Sequence, residues 1–206
     1  MPNEEIKVVL ILSAWGTGSS SVTGFLDKCG VYTCPPHHHT NDPRTPVAYE
    51  SILYKNALAD CFDEFSLKRK GSIENFTTFF EKWLGEQITI AKNIDATHIA
   101  LKHPLQIFLL PRIEQITKVK YVVVTRPLID IENTRKRRNW RPVYGEAGAK
   151  VIYREIYSYM HRKNKPYLAL PYAEFRTDYD LRILLLNYIG LKPKSVQLND
   201  AENWLK

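Results

Sequence analysis

The sequence predicts an α/β protein in which a central parallel sheet is flanked by helices on both faces. Two apolar runs rich in β-branched residues, 6–12 and 119–125, have the pattern of strands that are covered on both faces. Helical patterns follow and separate these runs, as in chains that form parallel sheets. A Gly- and Ser-rich turn joins the first run to a helix, and many nucleotide-binding α/β folds begin with this strand–turn–helix unit.

The other elements follow from local patterns. In the first half these predict a helix that ends at Gly30, a surface loop over 32–45, a helix over 47–65, a helix capped by Ser72, a short strand over 97–101, and a helix over 105–116 that Pro111 kinks or breaks. In the second half they predict helices over 128–138 and 150–162, a short strand over 167–170, a helix over 180–189, and a polar tail after Pro193 anchored by Trp204 and Leu205.

Length and composition favour a single globular domain that spans residues 1–206. No segment approaches the roughly 20 consecutive apolar residues of a membrane span, and the first apolar run is too short for a signal sequence. Three cysteines cannot all pair with one another, so we expect reduced thiols and a cytoplasmic protein.

The net charge of +7 favours anionic partners such as nucleic acids, acidic lipids or phosphorylated ligands. The basic residues 135–138 contribute to this charge, but they lack the interleaved aromatic residues of a stacking surface, which disfavours nucleic acid. Three consecutive histidines at 37–39 point in different directions and do not have the spacing of metal ligands. We therefore expect no metal cofactor.

The turn at residues 13–21 has the composition of a phosphate-binding loop. Gly16 and Gly18 can adopt backbone angles that let several N–H groups converge on an anion. The helix that begins near Ser19 adds free N–H groups and the positive end of its dipole. An ordinary strand-to-helix turn capped by serine is the alternative. The turn lacks the lysine of an ATPase phosphate loop, which disfavours a small-molecule kinase.

Residues 10–31 resemble the opening of sulfotransferases that use 3′-phosphoadenosine 5′-phosphosulfate (PAPS). Four residues match the Ser-Gly-Thr-Ser core of that family: Thr17, Gly18, Ser19 and Ser20. The resemblance implies a three-layer fold like that of P-loop NTPases, and a loop that holds the 5′-phosphosulfate together with Trp15 and Gly16. Gly16 stands where the family has a basic residue. Either another cation replaces it, with Lys102 as the first candidate, or the protein is a weak or inactive member.

A second signature of the same family resembles residues 121–138. Arg126 matches an arginine at the end of a buried strand, and Thr134 falls at the position of a serine eight residues later. The resemblance implies that this pair binds the 3′-phosphate of the nucleotide, although Pro127 comes one residue early. Arginine suits that role because its planar guanidinium binds phosphate with two hydrogen bonds. An ion pair between Arg126 and Asp130 is the alternative.

Residues 97–111 resemble the family segment that carries the general base. Cytosolic members have Lys-Thr-His-Leu-Pro there; Lys102 aligns with the lysine, and His103 lies one residue before the histidine position. Glu50 resembles a glutamate of some bacterial members. We therefore expect His103, ahead of Glu50, to act as the base, with local capping by His103 as the alternative.

These matches predict a transferase that moves a sulfuryl group from PAPS to a hydroxyl of a carbohydrate or small molecule. Two alternatives remain at this point: a P-loop small-molecule kinase, and a protein that binds nucleotides or polyanions without turnover, which the absence of a cation at Gly16 makes plausible.

Overall fold

The computed structural model describes residues 5–206. The strands in chain order are β1 (Lys7–Leu12), β2 (His37–His39), β3 (Val47–Ser51), β4 (His98–Lys102), β5 (Val119–Thr125) and β6 (Tyr167–Pro171). The α-helices are α1 (Ser19–Lys28), α2 (Ile52–Cys61), α3 (Ile73–Asn93), α4 (Leu110–Ile116), α5 (Leu128–Arg137), α6 (Glu146–Arg162), α7 (Tyr172–Thr177), α8 (Tyr179–Ile189) and α9 (Ser195–Leu205). Short 3-10 helices span Pro104–Leu109 and Pro142–Tyr144.

Four strands form the central sheet in the order β4-β1-β5-β6, and all three pairings are parallel. In β1, Leu10 lies opposite Leu101 on one side and Tyr121 on the other. The carboxyl ends of the four strands therefore meet at one edge of the sheet. The predicted α/β class with a central parallel sheet is confirmed.

Two apolar cores cover the two faces of this sheet. Along β1, Val8 and Leu10 belong to one core while Val9 and Ile11 belong to the other, because successive side chains of a strand point to opposite faces. Helices α3, α4 and α6 pack on the first face, and α1, α8 and α9 pack on the second. This burial on both faces explains why β1 and β5 are almost uniformly apolar.

The predicted helix over residues 47–65 is wrong in its first part, and so is the loop predicted before it. Val47–Ser51 forms β3, which pairs antiparallel with His37–His39, and the helix begins only at Ile52. Five apolar and polar residues in a row fit a strand or a helix equally well. The partner strand ten residues upstream decides between them.

Three other boundaries differ from the sequence prediction. The tail after Pro193 contains α9, whose Ala201 and Leu205 are buried in the core that includes α1. The helix predicted over 105–116 is divided beside Pro111 into a 3-10 helix that ends at Leu109 and α4, and Pro111 lies in the first turn of α4, where its missing N–H is tolerated. Helix α6 begins at Glu146, four residues earlier than predicted. The short helix α7 was not predicted.

Within residues 5–206, no helix is both long and apolar enough to cross a membrane. All three cysteines are buried and none forms a disulfide.

Candidate active site

A large cavity of about 1430 Å³ lies at the edge of the sheet where the strand carboxyl ends meet. Every site residue predicted from the sequence lines this cavity except Thr17. Thr17 is fully buried, and its hydroxyl donates to the backbone oxygen of Ala14 at 3.0 Å. It therefore stabilises the loop from the side that faces away from the cavity. The fold therefore brings together residues that lie more than 100 positions apart in the chain.

The loop between β1 and α1 has the backbone geometry of an anion site. Gly16 and Gly18 have φ angles of 73° and 90°, in the left-handed region that favours glycine. No side chain of the described residues caps α1, so the first N–H groups of the helix face the cavity without a side-chain acceptor. The Tyr172 ring covers Gly18 so closely that a Cβ atom there would lie 2.2 Å from it.

Arg126 connects this loop to α5. One of its guanidinium nitrogens donates to the backbone oxygen of Gly16 at 3.0 Å and to the Thr134 hydroxyl at 3.1 Å. Thr134 in turn donates to the backbone oxygen of Asp130. Among the described residues, Arg126 forms no ion pair with Asp130, so the alternative predicted from the sequence is not present. Its other N–H groups remain available to a bound anion.

Lys102 ends β4 with its ammonium group next to the loop. Its Nζ atom donates to Ser20 Oγ at 3.1 Å, to the backbone oxygen of Ala48 at 2.8 Å and to Glu50 Oε1 at 2.8 Å. Burial opposes ionisation of Glu50, but the charge and hydrogen bond of Lys102 together with the nearby His103 and Lys55 outweigh it and lower the pKa of the Glu50 carboxyl to about 2. Glu50 and Lys102 therefore form a buried ion pair in contact with the loop.

His103 follows Lys102 and is held from both sides. Its Nδ1 atom accepts the backbone N–H of Leu105 at 3.2 Å, and its Nε2 atom faces Glu64 Oε1 at 3.5 Å. Tyr144 donates its hydroxyl to the other oxygen of Glu64 at 3.1 Å. Contact with the His103 ring, opposed by burial, keeps the pKa of Glu64 below its ordinary value. Trp15 packs edge-on against Tyr144 and His103, so this cluster adjoins the loop.

A further ion-pair cluster spans the mouth of the cavity. Asp42, in the turn between β2 and β3, accepts from Arg137 at 2.8 Å and lies 2.5 Å from Arg138 Nε. The hydrogen bond from Arg137 keeps the pKa of this buried carboxyl far below its ordinary value. The turn is thereby fixed to the end of α5.

Four of these residues were not predicted from the sequence: Asp42, Glu64, Tyr144 and Tyr172. Asp42 and Glu64 stand in stretches predicted as loop and helix, with no neighbouring motif. Across residues 5–206, no group of three or more His, Cys, Asp or Glu side chains is placed to hold a metal ion.

Two solved structures share this architecture. The sulfotransferase domain of the olefin synthase from Synechococcus PCC 7002 matches 96% of this chain and 78% of its own length, with a TM-score of 0.57 and 18% identity. The chain has a sulfotransferase-like fold. The sulfotransferase STF1 from Mycobacterium tuberculosis H37Rv gives 98% and 72% coverage, a TM-score of 0.53 and 11% identity. No protein-family model and no curated protein sequence matches the chain.

This sulfotransferase-like fold places the cavity where ligands bind in open parallel sheets, beyond the carboxyl ends of the strands. The resemblance noted in the sequence and the likeness in structure thus agree on the fold. Sequence identity between this chain and each of the two solved structures is below one fifth.

Proposed function

We propose that this protein transfers a sulfuryl group from PAPS to a hydroxyl group of a carbohydrate or small molecule. The observation that carries the proposal is the connection made by Arg126. This residue bonds both the loop at Gly16 and the hydroxyl of Thr134, which are the two segments that separately resemble the nucleotide-binding signatures of sulfotransferases. A ligand with phosphates at both ends of a ribose suits two anion sites joined in this way.

The residues present fit such a nucleotide. Arg126 and Thr134 are suited to the 3′-phosphate, and the N–H groups from Gly16 to Ser20 are suited to the 5′-phosphosulfate. Ser13 adds a buried hydroxyl, at the start of the loop, that has no hydrogen-bond partner in the described part of the chain. When bound, PAPS supplies a sulfuryl group attached to a phosphate leaving group.

Lys102 is proposed to supply the positive charge that Gly16 lacks. Its ammonium group bonds Ser20 in the loop, so it lies beside the place where negative charge develops on the leaving phosphate. Glu50 is proposed to hold Lys102 in position. A carboxylate whose oxygen is engaged by an ammonium group at 2.8 Å is a poor acceptor for the proton of a substrate hydroxyl.

The three unpaired thiols favour a reducing compartment, so we place the reaction in the cytoplasm. We propose that the acceptor binds beside the nucleotide, near His103 and Glu64, which line the same cavity.

A comparison of two nucleotides tests the proposal. We expect 3′,5′-adenosine bisphosphate to raise the melting temperature, with no comparable shift from ATP and Mg²⁺, because ligands that bind only the folded state stabilise it by mass action. The Arg126→Met variant should lose the shift, whereas Arg154→Met, which changes an exposed arginine far from the cavity, should keep it. Stabilisation by ATP and Mg²⁺ instead would contradict the proposal and favour a kinase.

A further inference from the structure

The one hydrogen bond of the His103 ring leaves it without a lone pair for a substrate. The backbone N–H of Leu105 donates to Nδ1, so the proton of the neutral ring resides on Nε2. Nε2 is buried and lies 3.5 Å from Glu64 Oε1, a charge contact without the geometry of a hydrogen bond. The ring is also almost completely enclosed, with 1% of its side chain exposed. The position of His103 therefore suits it to orienting the Glu64 side chain rather than to accepting a proton from a substrate.

Glu64 has the complementary properties. Both side chains line the cavity, but that of Glu64 is 22% exposed while that of His103 is almost completely enclosed. An ionised carboxylate can accept about four hydrogen bonds. The described residues offer it two contacts, one from His103 and one from the Tyr144 hydroxyl. Because Oε1 is buried, the acceptor position that remains for a hydroxyl in the cavity is on Oε2, beside the hydrogen bond from Tyr144.

Neighbouring groups keep this carboxylate ionised and fixed. Burial and the adjacent Glu64 charge raise the pKa of Tyr144, so its hydroxyl stays protonated and donates. Trp15 packs against both Tyr144 and His103 and belongs to the loop that we assign to the phosphosulfate. The carboxylate is consequently set beside that loop. Glu50, the other acidic candidate, is engaged by Lys102.

We propose that Glu64 is the general base of the reaction and that His103 is a positioning residue that holds it. In this step the proton of the acceptor hydroxyl moves to the Glu64 carboxylate while the acceptor oxygen bonds to sulfur. The bond between that sulfur and the phosphate oxygen breaks, and its electron pair leaves with adenosine bisphosphate. This inference rests on the proposed function and replaces the expectation from sequence that His103 is the base.

Turnover of variants tests the inference. Formation of adenosine bisphosphate from PAPS is measured, because it registers transfer to any hydroxyl, water included. We expect Glu64→Gln to lower kcat at least about 100-fold, the usual contribution of a general base, with affinity for adenosine bisphosphate within about twofold of wild type. Glu64→Asp should retain part of the activity. Asp60→Asn, which neutralises an exposed carboxylate outside the cavity, should leave kcat unchanged.

A second measurement does not depend on turnover. Nitrogen-15 NMR of the histidine rings reports which ring nitrogen of His103 carries the proton, and we expect Nε2 in the wild type. A proton on Nδ1, or Glu64→Gln with kcat within about threefold of wild type, would overturn the inference. If the wild type binds no adenosine bisphosphate and consumes no PAPS, the proposed function fails instead. The NMR result still decides the role of His103 in that case.

Discussion

Lys102 and Glu50 illustrate how much depends on single residues in this site. The ammonium group of Lys102 uses all three of its N–H bonds, to Ser20, to the backbone of Ala48 and to Glu50. Both charges are buried, so each relies on the other to offset the cost of leaving water. The same lysine thus has a structural and a proposed chemical role, and the two can be separated experimentally.

We expect Lys102→Met to lower the free energy of unfolding by about 3–5 kcal/mol, because it leaves the Glu50 charge buried and unpaired. The double variant Lys102→Met/Glu50→Gln should recover most of that loss, since neither buried charge remains. Chemical denaturation measures both values. The double variant should still lose about 100- to 1000-fold in kcat, because the cation at the leaving group is absent.

The double variant is also the control for misfolding. If it regains both stability and turnover, Lys102 is a structural residue only and the proposed replacement of the missing cation at Gly16 is wrong. Binding of adenosine bisphosphate, measured alongside, separates lost chemistry from lost affinity.

At the scale of elements, the turn from β1 to α1 contains two glycines that the structure uses differently. Both have positive φ angles, but a Cβ at residue 16 would meet only ordinary contacts of 3.5–3.6 Å, to Thr134 and Ile131. At residue 18 it would overlap the Tyr172 ring. Gly18 is therefore required both for its backbone angle and for the close approach of α7.

These contacts predict a ranking of two substitutions. Gly16→Ala should cost about 1–2 kcal/mol, the price of a left-handed residue with a side chain. Gly18→Ala should lower the free energy of unfolding by about 1–3 kcal/mol more than Gly16→Ala does, because the added methyl group overpacks against Tyr172. Urea denaturation of the two variants measures the difference. Equal losses would show that the Tyr172 ring moves aside freely.

The elements that the sequence predicted well are those whose signals are local. Apolar β-branched runs marked β1 and β5, and glycines marked the ends of α1 and α8. The elements that it missed depend on distant partners. Val47–Ser51 becomes a strand because His37–His39 pairs with it, and α9 is held by contacts with α1, where the Trp204 ring lies over Gly24.

At the scale of the whole molecule, the candidate site is assembled by the parallel order of the sheet. The loop after β1, Lys102 after β4 and Arg126 after β5 could be placed together from sequence, because parallel strands end at one edge. Glu64 and Asp42 could not. They reach the cavity through irregular segments whose paths depend on tertiary packing, and no motif marks them.

Asp42 has a role at this largest scale because it joins two parts of the fold. It lies in the turn of the small β2–β3 sheet and is paired with Arg137 and Arg138 at the end of α5. Arg138 in turn lies 4.5 Å from the centre of the Trp140 ring. This one carboxylate therefore connects the β2–β3 turn to α5 at the cavity that both segments line.

We expect Asp42→Asn to lower the free energy of unfolding by about 1.5–3 kcal/mol near neutral pH, the usual contribution of hydrogen bonds to charged groups. Because the pKa of Asp42 is lower in the folded than in the unfolded protein, its stabilisation is fully present above the unfolded value of about 3.9 and is lost progressively as pH falls from there through the folded pKa. The difference between wild type and Asp42→Asn should therefore be large at pH 7 and smaller near pH 2. Urea denaturation at both pH values measures it.

The matched control for this prediction is Asp200→Asn, which removes an exposed carboxylate on α9 and should differ little from wild type at either pH. Three results are possible for Asp42→Asn. A loss that shrinks on acidification agrees with an ion pair that holds the turn against α5. A loss of equal size at both pH values would contradict an origin in the charge of Asp42, and it could not come from the hydrogen bond of the Arg44 backbone N–H, because the asparagine Oδ1 can also accept that bond. No loss at pH 7 would show that the cluster contributes nothing to stability, because the cost of desolvating Asp42 and Arg138 then cancels their attraction.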